Sequence, residues 1–154
     1  MPSYNTNLAA EFYVLSCLHR LGLNANLTLG NKKGVDVVVA LDAGEAITIE
    51  VKGLAKKYDW PANNLKPPQD PNRHIVALVC FEGRINKLGM PPPQVWIIPF
   101  PDVKQFIRSY PGGRVNVSRN LLVTNGGRFE NAWNQLEVDI PNYLPFGRNF
   151  FIVV

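Results

Sequence analysis

The chain has few of the residues that stabilise small proteins by crosslinks. It contains two cysteines and two histidines in 154 residues. Cys17 and Cys80 are far apart in apolar runs, which is typical of buried reduced thiols rather than of a disulfide framework. A structural zinc site needs four clustered ligands, and neither His19 nor His74 has a second cysteine near it. These shortages argue against a disulfide-crosslinked domain and against a zinc domain.

The sequence also lacks a long apolar run and a strong charge of one sign. No stretch reaches the roughly 20 residues that a membrane-spanning helix needs, and the first residues do not form a basic-then-apolar leader. We therefore expect a cytoplasmic protein with no membrane partner. The 16 Lys and Arg exceed the 12 Asp and Glu by four, which permits a nucleic-acid partner without requiring one. Without repeats or linkers, residues 1–154 are expected to form a single domain.

Hydrophobic periodicity predicts strands flanked by helices. Two runs with almost no polar residues are typical of central strands covered on both faces. This pattern predicts an α/β or α+β fold around a mixed sheet. The predicted elements are a helix at 4–21, strands at 23–29, 35–41, 46–52, 74–81 and 95–100, and a helix at 102–110. Short β segments are expected within 115–123, a short helix at 129–136, and a strand at 150–154.

Two adjacent β-branched runs carry charged residues where packed strands usually have none. Asp36 lies in a Val-rich run, and Glu50 and Lys52 close an Ile-rich one. A two-residue turn between the strands would place Asp36 and Glu50 on opposite faces of the sheet, whereas a three-residue turn, Asp42–Gly44, would set them side by side. Glycine suits the left-handed third position of the longer turn, so we expect the two carboxylates to lie together.

The first helix contributes a third carboxylate at an unusual position. At 100° per residue, Leu8, Val14, Leu15 and Leu18 form one apolar stripe, and Glu11 falls in its middle. An ionised carboxylate on a core-facing stripe is costly unless a positive charge meets it. Glu11 therefore either joins the other carboxylates around a cation or reaches water from a frayed first turn.

Carboxylates gathered in this way repel one another and raise each other's pKa unless a cation is present. Oxygen ligands suit a hard divalent ion, Mg²⁺ or Mn²⁺. Lys52 shares a strand face with Glu50, so it could position or help activate a water, or neutralise charge that builds on a phosphate. The alternative is a surface Glu50–Lys52 pair on an edge strand, with Asp36 at a strand start. The combination of positions is more specific than the short motif alone.

Residues 53–72 are polar and Pro-rich, and we expect a long loop there. Roughly 20 residues without secondary structure is unusual in a compact domain and often indicates function. Lysines interleaved with exposed aromatic residues suit phosphate contacts and base stacking. The alternative is a solvated loop whose tryptophan folds back onto the core. The expected nucleic-acid-binding residues of this loop and of neighbouring basic positions are Lys32, Lys33, Lys56, Lys57, Tyr58, Trp60 and Arg73.

The charged positions resemble the motif of the PD-(D/E)xK nuclease superfamily. The resemblance lies in Glu11 of the first helix, Gly34-Val35-Asp36 and Glu50-Val51-Lys52, a layout similar to that of archaeal Holliday junction resolvases. It covers about residues 4–110 and leaves 111–154 as a C-terminal extension. The resemblance implies a restriction-endonuclease-like αβββαβ core and Mg²⁺-dependent phosphodiester hydrolysis.

The resemblance also implies a role for each motif residue. Asp36, Glu50, the Val51 carbonyl and Glu11 would be metal ligands, and Lys52 would be the catalytic lysine. The expected function is a metal-dependent endonuclease with DNA as its substrate. The alternative is a non-catalytic nucleic-acid-binding or assembly module that retains the fold. Cleavage of both strands of a duplex usually needs two active sites, so a homodimer is a further hypothesis.

Overall fold

The computed structural model of the protein describes residues 5–30 and 33–136. Within them, helices and two sheets form a mixed α+β structure, which confirms the predicted fold class. The helices are α1 Thr6–Arg20, α2 Phe100–Val103 and α3 Arg119–Asn125. The strands are β1 Ala25–Leu27, β2 Val37–Ala40, β3 Ala46–Leu54, β4 Trp60–Pro61, β5 His74–Cys80, β6 Gln94–Pro99, β7 Ile107–Ser109 and β8 Val115–Val117. Short 3₁₀ helices lie at Asp42–Gly44, Pro71–Arg73, Lys104–Phe106, Gly127–Phe129 and Trp133–Leu136.

The larger sheet is mixed, as expected. Its strand order is β1-β2-β3-β5-β6, and the smaller sheet has the order β4-β8-β7. Strands β3 and β5 are parallel, whereas the other neighbours in the larger sheet are antiparallel. Every residue of β5 is buried, so its apolar run is that of a central strand. The similar run in β6 has a different position, because β6 is the outermost strand of this sheet among the described residues.

Helix α1 forms because an apolar face recurs at the helical period and a glycine ends it. Gly22 has a φ of +78°, the left-handed conformation that closes many helices. The buried residues Ala10, Val14 and Leu18 contact the larger sheet. They lie about 40° apart on the helix, so the buried face is centred on them. Glu11 is therefore at the border of this face, half-buried, and not in its middle as the periodicity had suggested.

The larger sheet is covered on both faces by apolar clusters. The cluster on the α1 side includes the odd-numbered residues of β5, and the cluster on the other side includes the even-numbered ones. The second cluster also takes in Trp60, Trp96 and Phe106, with the rings of Trp60 and Trp96 packed edge to face at 5.7 Å. The segment after β3 thus contributes to the core, and the charged positions of β3 lie where this cluster meets solvent.

The connection from β3 to β5 differs from the αβββαβ expectation. Residues 55–73 are all described, and they form β4 and a 3₁₀ turn instead of the helix that the family resemblance implies. The segment contains four prolines, which lack the N–H that a helix interior needs. Strand β4 pairs with β8 instead, so the expected loop is partly a strand of the smaller sheet.

Several predicted elements in the second half of the chain are wrong. The helix expected at 102–110 begins at Phe100 and gives way to β7 at Ile107, because β7 pairs with β8. The β segment expected at 121–123 lies in α3, which the Ser118 hydroxyl caps by accepting from the Leu121 N–H. Two 3₁₀ turns replace the helix expected at 129–136. The strand expected at 150–154 lies outside the described residues.

The two cysteines are not bonded to each other. Cys17 and Cys80 are both free thiols, with Cys80 buried and Cys17 half-buried. The Cys80 thiol donates to the Lys56 carbonyl oxygen at 3.4 Å, which ties the end of β5 to the chain after β3. Across the described ranges, no helix is both long enough and apolar enough to cross a membrane.

Candidate functional site

The turn between β2 and β3 has the three-residue form on which the site prediction depended. The N–H of Leu41 donates to the Glu45 carbonyl at 2.8 Å, so these two residues close the hairpin. Asp42–Gly44 forms the turn, and Gly44 has a φ of +77°. Only a three-residue turn makes Leu41 and Glu45 the closing pair of the hairpin. Gly44, the third residue of the turn, takes the left-handed conformation that glycine accepts without strain.

The strand register carries this geometry to the carboxylates. Val37 lies opposite Ile49, so Asp36 and Glu50 are the next residues of the two strands, at the open end of the hairpin. The Asp36 carboxylate accepts a hydrogen bond from the Val51 N–H at 2.7 Å. Asp36 therefore reaches across to β3 and lies beside Glu50, as predicted.

Glu50 is a nearly buried carboxylate on the β3 face opposite α1. It is 6% exposed, and its Oε2 pairs with Lys52 Nζ at 3.2 Å. Burial raises the pKa of Glu50 and the charge of Asp36 adds to this, while Lys52 acts in the opposite direction. A Cβ at Gly34 would lie 3.6 Å from Glu50 Oε1, so Gly34 lies directly beside this carboxylate.

Lys52 is fixed between two partners. Besides Glu50, its Nζ donates to the Asn64 side-chain oxygen at 2.9 Å. The Lys52 side chain is only 13% exposed, and its backbone carbonyl accepts from the Trp60 indole N–H at 3.1 Å. These contacts exclude the alternative of a loose Glu–Lys pair on an edge strand, because β3 lies in the middle of the sheet and both side chains are largely buried.

Glu11 reaches the same group of residues from α1. Burial, and then the hydrogen bond and negative charge of Asp36, raise the pKa of Glu11 from 4.5 to about 7. The helix is regular from Thr6 onward, so the alternative of a frayed first turn around Glu11 is wrong. Two carboxylates with raised pKa values and a third between them show that negative charge is crowded at this point.

Asp36, Glu50 and Lys52 line a cleft of about 350 Å³ beside β3, whereas Glu11 contacts Asp36 but is not among the residues that line the cleft. Across the described ranges, no group of three or more His, Cys, Asp or Glu side chains is spaced to hold a metal ion in this conformation. The chemistry of the donors nevertheless fits a hard divalent cation, since the carboxylates supply oxygen ligands and crowd negative charge. Among the residues that line the cleft are Asn7, Gly34, Asp36, Glu50, Lys52 and Asn64.

Sequence reasoning missed two neighbours of the carboxylates. Asn64 comes from the polar segment after β3, and no local pattern indicated that it would meet Lys52. His74 begins β5 beside Thr48, with 2.6 Å between its Nδ1 and the Thr48 hydroxyl oxygen. It is 2% exposed, and burial lowers its pKa while the charge of Asp36 raises it. A polar residue at the start of an otherwise apolar strand was the available signal for this position.

The predicted nucleic-acid-binding residues do not form one surface. Lys33 and Arg73 lie near the N-terminal end of β3, and Arg73 pairs with Glu45 at 3.1 Å. Lys56 and Lys57 follow the other end of β3, which is about 26 Å from its start at 3.3 Å per residue. Lys57 pairs with Glu82 at 3.6 Å. The carboxylate cleft lies between the two groups. Nucleic-acid binding by either group remains a prediction.

The aromatic and remaining basic positions give different outcomes. Trp60 is 0% exposed, so the prediction that its ring stacks on a base is wrong, and the alternative that it folds onto the core is correct. Its indole N–H bonds the carbonyl oxygens of Lys52 and Val79, which explains the burial of this polar ring. Tyr58 is 65% exposed and keeps its predicted accessibility. Lys32 lies outside the described residues.

No protein-family model matches the chain, and a search of curated proteins finds no significant match. The function must therefore be argued from the residues themselves. Their arrangement is a nearly buried Glu–Lys pair on a central strand, joined through one aspartate to a helical glutamate.

Proposed function

We propose that the protein is a cytoplasmic, divalent-metal-dependent nuclease that hydrolyses phosphodiester bonds, with DNA as its substrate. The observation that carries this proposal is the convergence of Glu11, Asp36, Glu50 and Lys52 from one helix and two strands. A relationship to the PD-(D/E)xK nucleases is part of the proposal, and its support is this layout. The free cysteines agree with a reducing compartment.

The carboxylates of Asp36 and Glu50 would hold the cation, with Glu11 and the Val51 carbonyl as further ligands. Bound Mg²⁺ or Mn²⁺ would neutralise phosphate charge and lower the pKa of a water. The crowding of three carboxylates supports this assignment, because a cation would offset both the burial and the nearby charge of Asp36 that raise the pKa values of Glu11 and Glu50.

Lys52 would contact the phosphate or the attacking water. Its ammonium group is held at the cleft by Glu50 and Asn64, so little rotational freedom remains to be lost when substrate binds. A fixed positive charge in a partly buried cleft stabilises the negative charge that builds on phosphate oxygens. Asn64 acts on this lysine and would be a positioning residue.

A second candidate function is a nucleic-acid-binding or assembly module that does not cleave. One observation that favours it is that the carboxylates already have partners within the protein, Glu11 with Asp36 and Glu50 with Lys52. A second is that the described residues form no preformed metal cluster in this conformation. These contacts would be enough to hold the carboxylates in place in a protein that does not bind a metal. A homodimer remains a hypothesis that cleavage of both duplex strands would favour.

The experiment that separates the two functions measures cleavage of plasmid, single-stranded and branched DNA with Mg²⁺ or Mn²⁺. The nuclease proposal predicts metal-dependent cleavage of at least one substrate by the wild type, and its loss in Glu50→Ala and Lys52→Ala. Glu130→Gln, at an exposed carboxylate outside the cleft, is the matched control and is expected to cleave normally. Absence of cleavage together with absence of metal binding by calorimetry would overturn the proposal, and DNA binding without cleavage would support the second candidate.

A further inference from the structure

A larger cavity of about 620 Å³ adjoins the carboxylate cleft. The residues that precede β2, the first half of β3 and the segment 64–73 form its walls. Gly34 and Asn64 line both the cavity and the cleft, so the two spaces are neighbours. Thr48 also lines the cavity and precedes Glu50 by two residues on the same face of β3. An occupant of the cavity would therefore lie next to the proposed site of cleavage.

Two lysines in the cavity wall have no carboxylate partner among the described residues. Lys33 and Lys66 line the cavity, and neither makes an ion pair with another described residue. Arg73 is a third cation of the wall, paired with Glu45. Asp70 is the one carboxylate among the lining residues, and it caps the turn that follows it. Two free ammonium groups beside a phosphodiesterase site suit the phosphates that flank the bond to be cut.

The rest of the wall offers apolar surface rather than further charge. Pro67, Pro68, Val35 and Ala46 also line the cavity. Proline rings give rigid, flat surfaces against which a base or a sugar can pack. The volume lies in the range of small-ligand sites, about 300–1,000 Å³, so the cavity has room for a nucleotide but not for a duplex. A base can enter such a space only when it is unpaired.

We propose that this cavity binds one nucleotide of an unpaired strand next to the phosphate that is cleaved. Lys33 and Lys66 contact its phosphates, and Pro67 and Pro68 pack against its base or sugar. The inference rests on the proposed nuclease function for the identity of the neighbouring site, and it deepens that function by naming the substrate class. The substrate is single-stranded nucleic acid or a duplex with an unpaired end, and a blunt duplex is a poor ligand.

The test measures binding of a short fluorescent single-stranded DNA in the presence of a chelator, so that cleavage does not interfere. The full-length double variant Lys33→Ala/Lys66→Ala is compared with Lys87→Ala, which removes an exposed lysine from a different groove. We expect the double variant to bind more weakly and to lose about 0.7 from the salt dependence of log K for each phosphate contact removed. We expect Lys87→Ala to match the wild type, and the same sequence as a blunt duplex to bind more weakly than the single strand.

Equal single-strand affinity and salt dependence in the double variant and in Lys87→Ala would overturn this inference, as would preferred binding of the blunt duplex. A cleavage assay on the same proteins separates it from the nuclease proposal. Metal-dependent cleavage that is unchanged in the double variant would leave the nuclease standing and remove the cavity from its substrate site. Lysine-dependent single-strand binding without any cleavage would keep the cavity and remove the nuclease.

Discussion

The two faces of β3 have opposite chemistry, although Glu50 on the polar face is buried nearly as deeply as its apolar neighbours. On the α1 face, the side chains are apolar and belong to one cluster; these residues are Ile47, Ile49 and Val51. On the other face, three polar residues alternate with them; these residues are Thr48, Glu50 and Lys52. The contrast is sharpest between two neighbours, since Val51 is 1% exposed and Glu50 is 6% exposed.

The apolar and the polar face of β3 differ in what they contribute to the stability of the fold. An apolar side chain gains free energy when it leaves water, whereas a carboxylate loses hydration that one ion pair offsets only in part. The raised pKa of Glu50 is a direct sign of this loss. We expect a central strand to be more stable with an apolar residue at this position, which agrees with the proposed role of Glu50 in the site.

The largest expected effect comes from Glu50→Gln. This change keeps the shape of the side chain and removes the charge, so we expect cleavage to fall by at least about 10²-fold. We expect the free energy of unfolding without metal to stay the same or increase, because a buried carboxylate is lost. Urea unfolding and initial cleavage rates measure the two quantities. A large loss of stability would mean that Glu50 stabilises the fold, as the apolar face of β3 does.

Ile49→Ala tests the opposite face. Removal of a fully buried Ile side chain leaves a cavity beneath α1, and we expect the free energy of unfolding to fall by about 2–5 kcal/mol. Cleavage per folded molecule is expected to change much less than in Glu50→Gln, because Ile49 points away from the cleft. Urea unfolding monitored by tryptophan fluorescence gives the stability. If cleavage falls as far as in the glutamate variant, the two faces are not functionally distinct.

Gly44→Ala tests the turn that brings the two strands into register. Alanine at a φ of +77° costs about 1–2 kcal/mol because its Cβ crowds the following carbonyl. We expect thermal unfolding to show this loss, and Gly44→Asn to show less of it, since asparagine tolerates the left-handed conformation better. Gly127→Ala is the control, because that glycine has open space and no positive φ. A neutral Gly44→Ala would contradict the role of the turn.

The smallest effect concerns pH. The pKa of Glu11 is about 7 in the folded protein and near 4.5 when unfolded, so its stabilising contribution is complete below about pH 4.5 and is lost as pH rises through about 7. Burial raises the pKa of Glu50 in the same direction. Without divalent metal, the free energy of unfolding should therefore decline between about pH 5 and pH 8. Glu11→Gln should flatten this decline, and an unchanged slope in urea unfolding would contradict the coupling.

The sequence was sufficient for the local parts of the site. A glycine in the third position of a short turn fixed the pairing of Asp36 with Glu50, because hairpin register depends on nearby residues. The helix up to Gly22 and the buried strand from His74 followed from periodicity and apolar runs. These features need no knowledge of distant contacts.

The remaining parts depend on contacts between distant residues. The polar residues around Trp60 predict an exposed ring, but the ring is buried in the apolar cluster on one face of the larger sheet. Asn64 meets Lys52 only because β4 pairs with β8, more than 50 residues later. Ile107 lies in a helical pattern and was placed in a helix, but pairing with Val117 draws it into a strand. Tertiary pairing outweighs local propensity at these positions.

The most direct test of the central claim is a crystal structure of the protein grown with Mn²⁺, with anomalous scattering used to locate the ion. The account predicts a peak within coordination distance of the carboxylates of Asp36 and Glu50, and its loss in Asp36→Asn. It also predicts that the Glu11 and Glu50 side chains turn toward the ion. Absence of a peak at this cleft at saturating Mn²⁺, in a folded protein, would contradict the account.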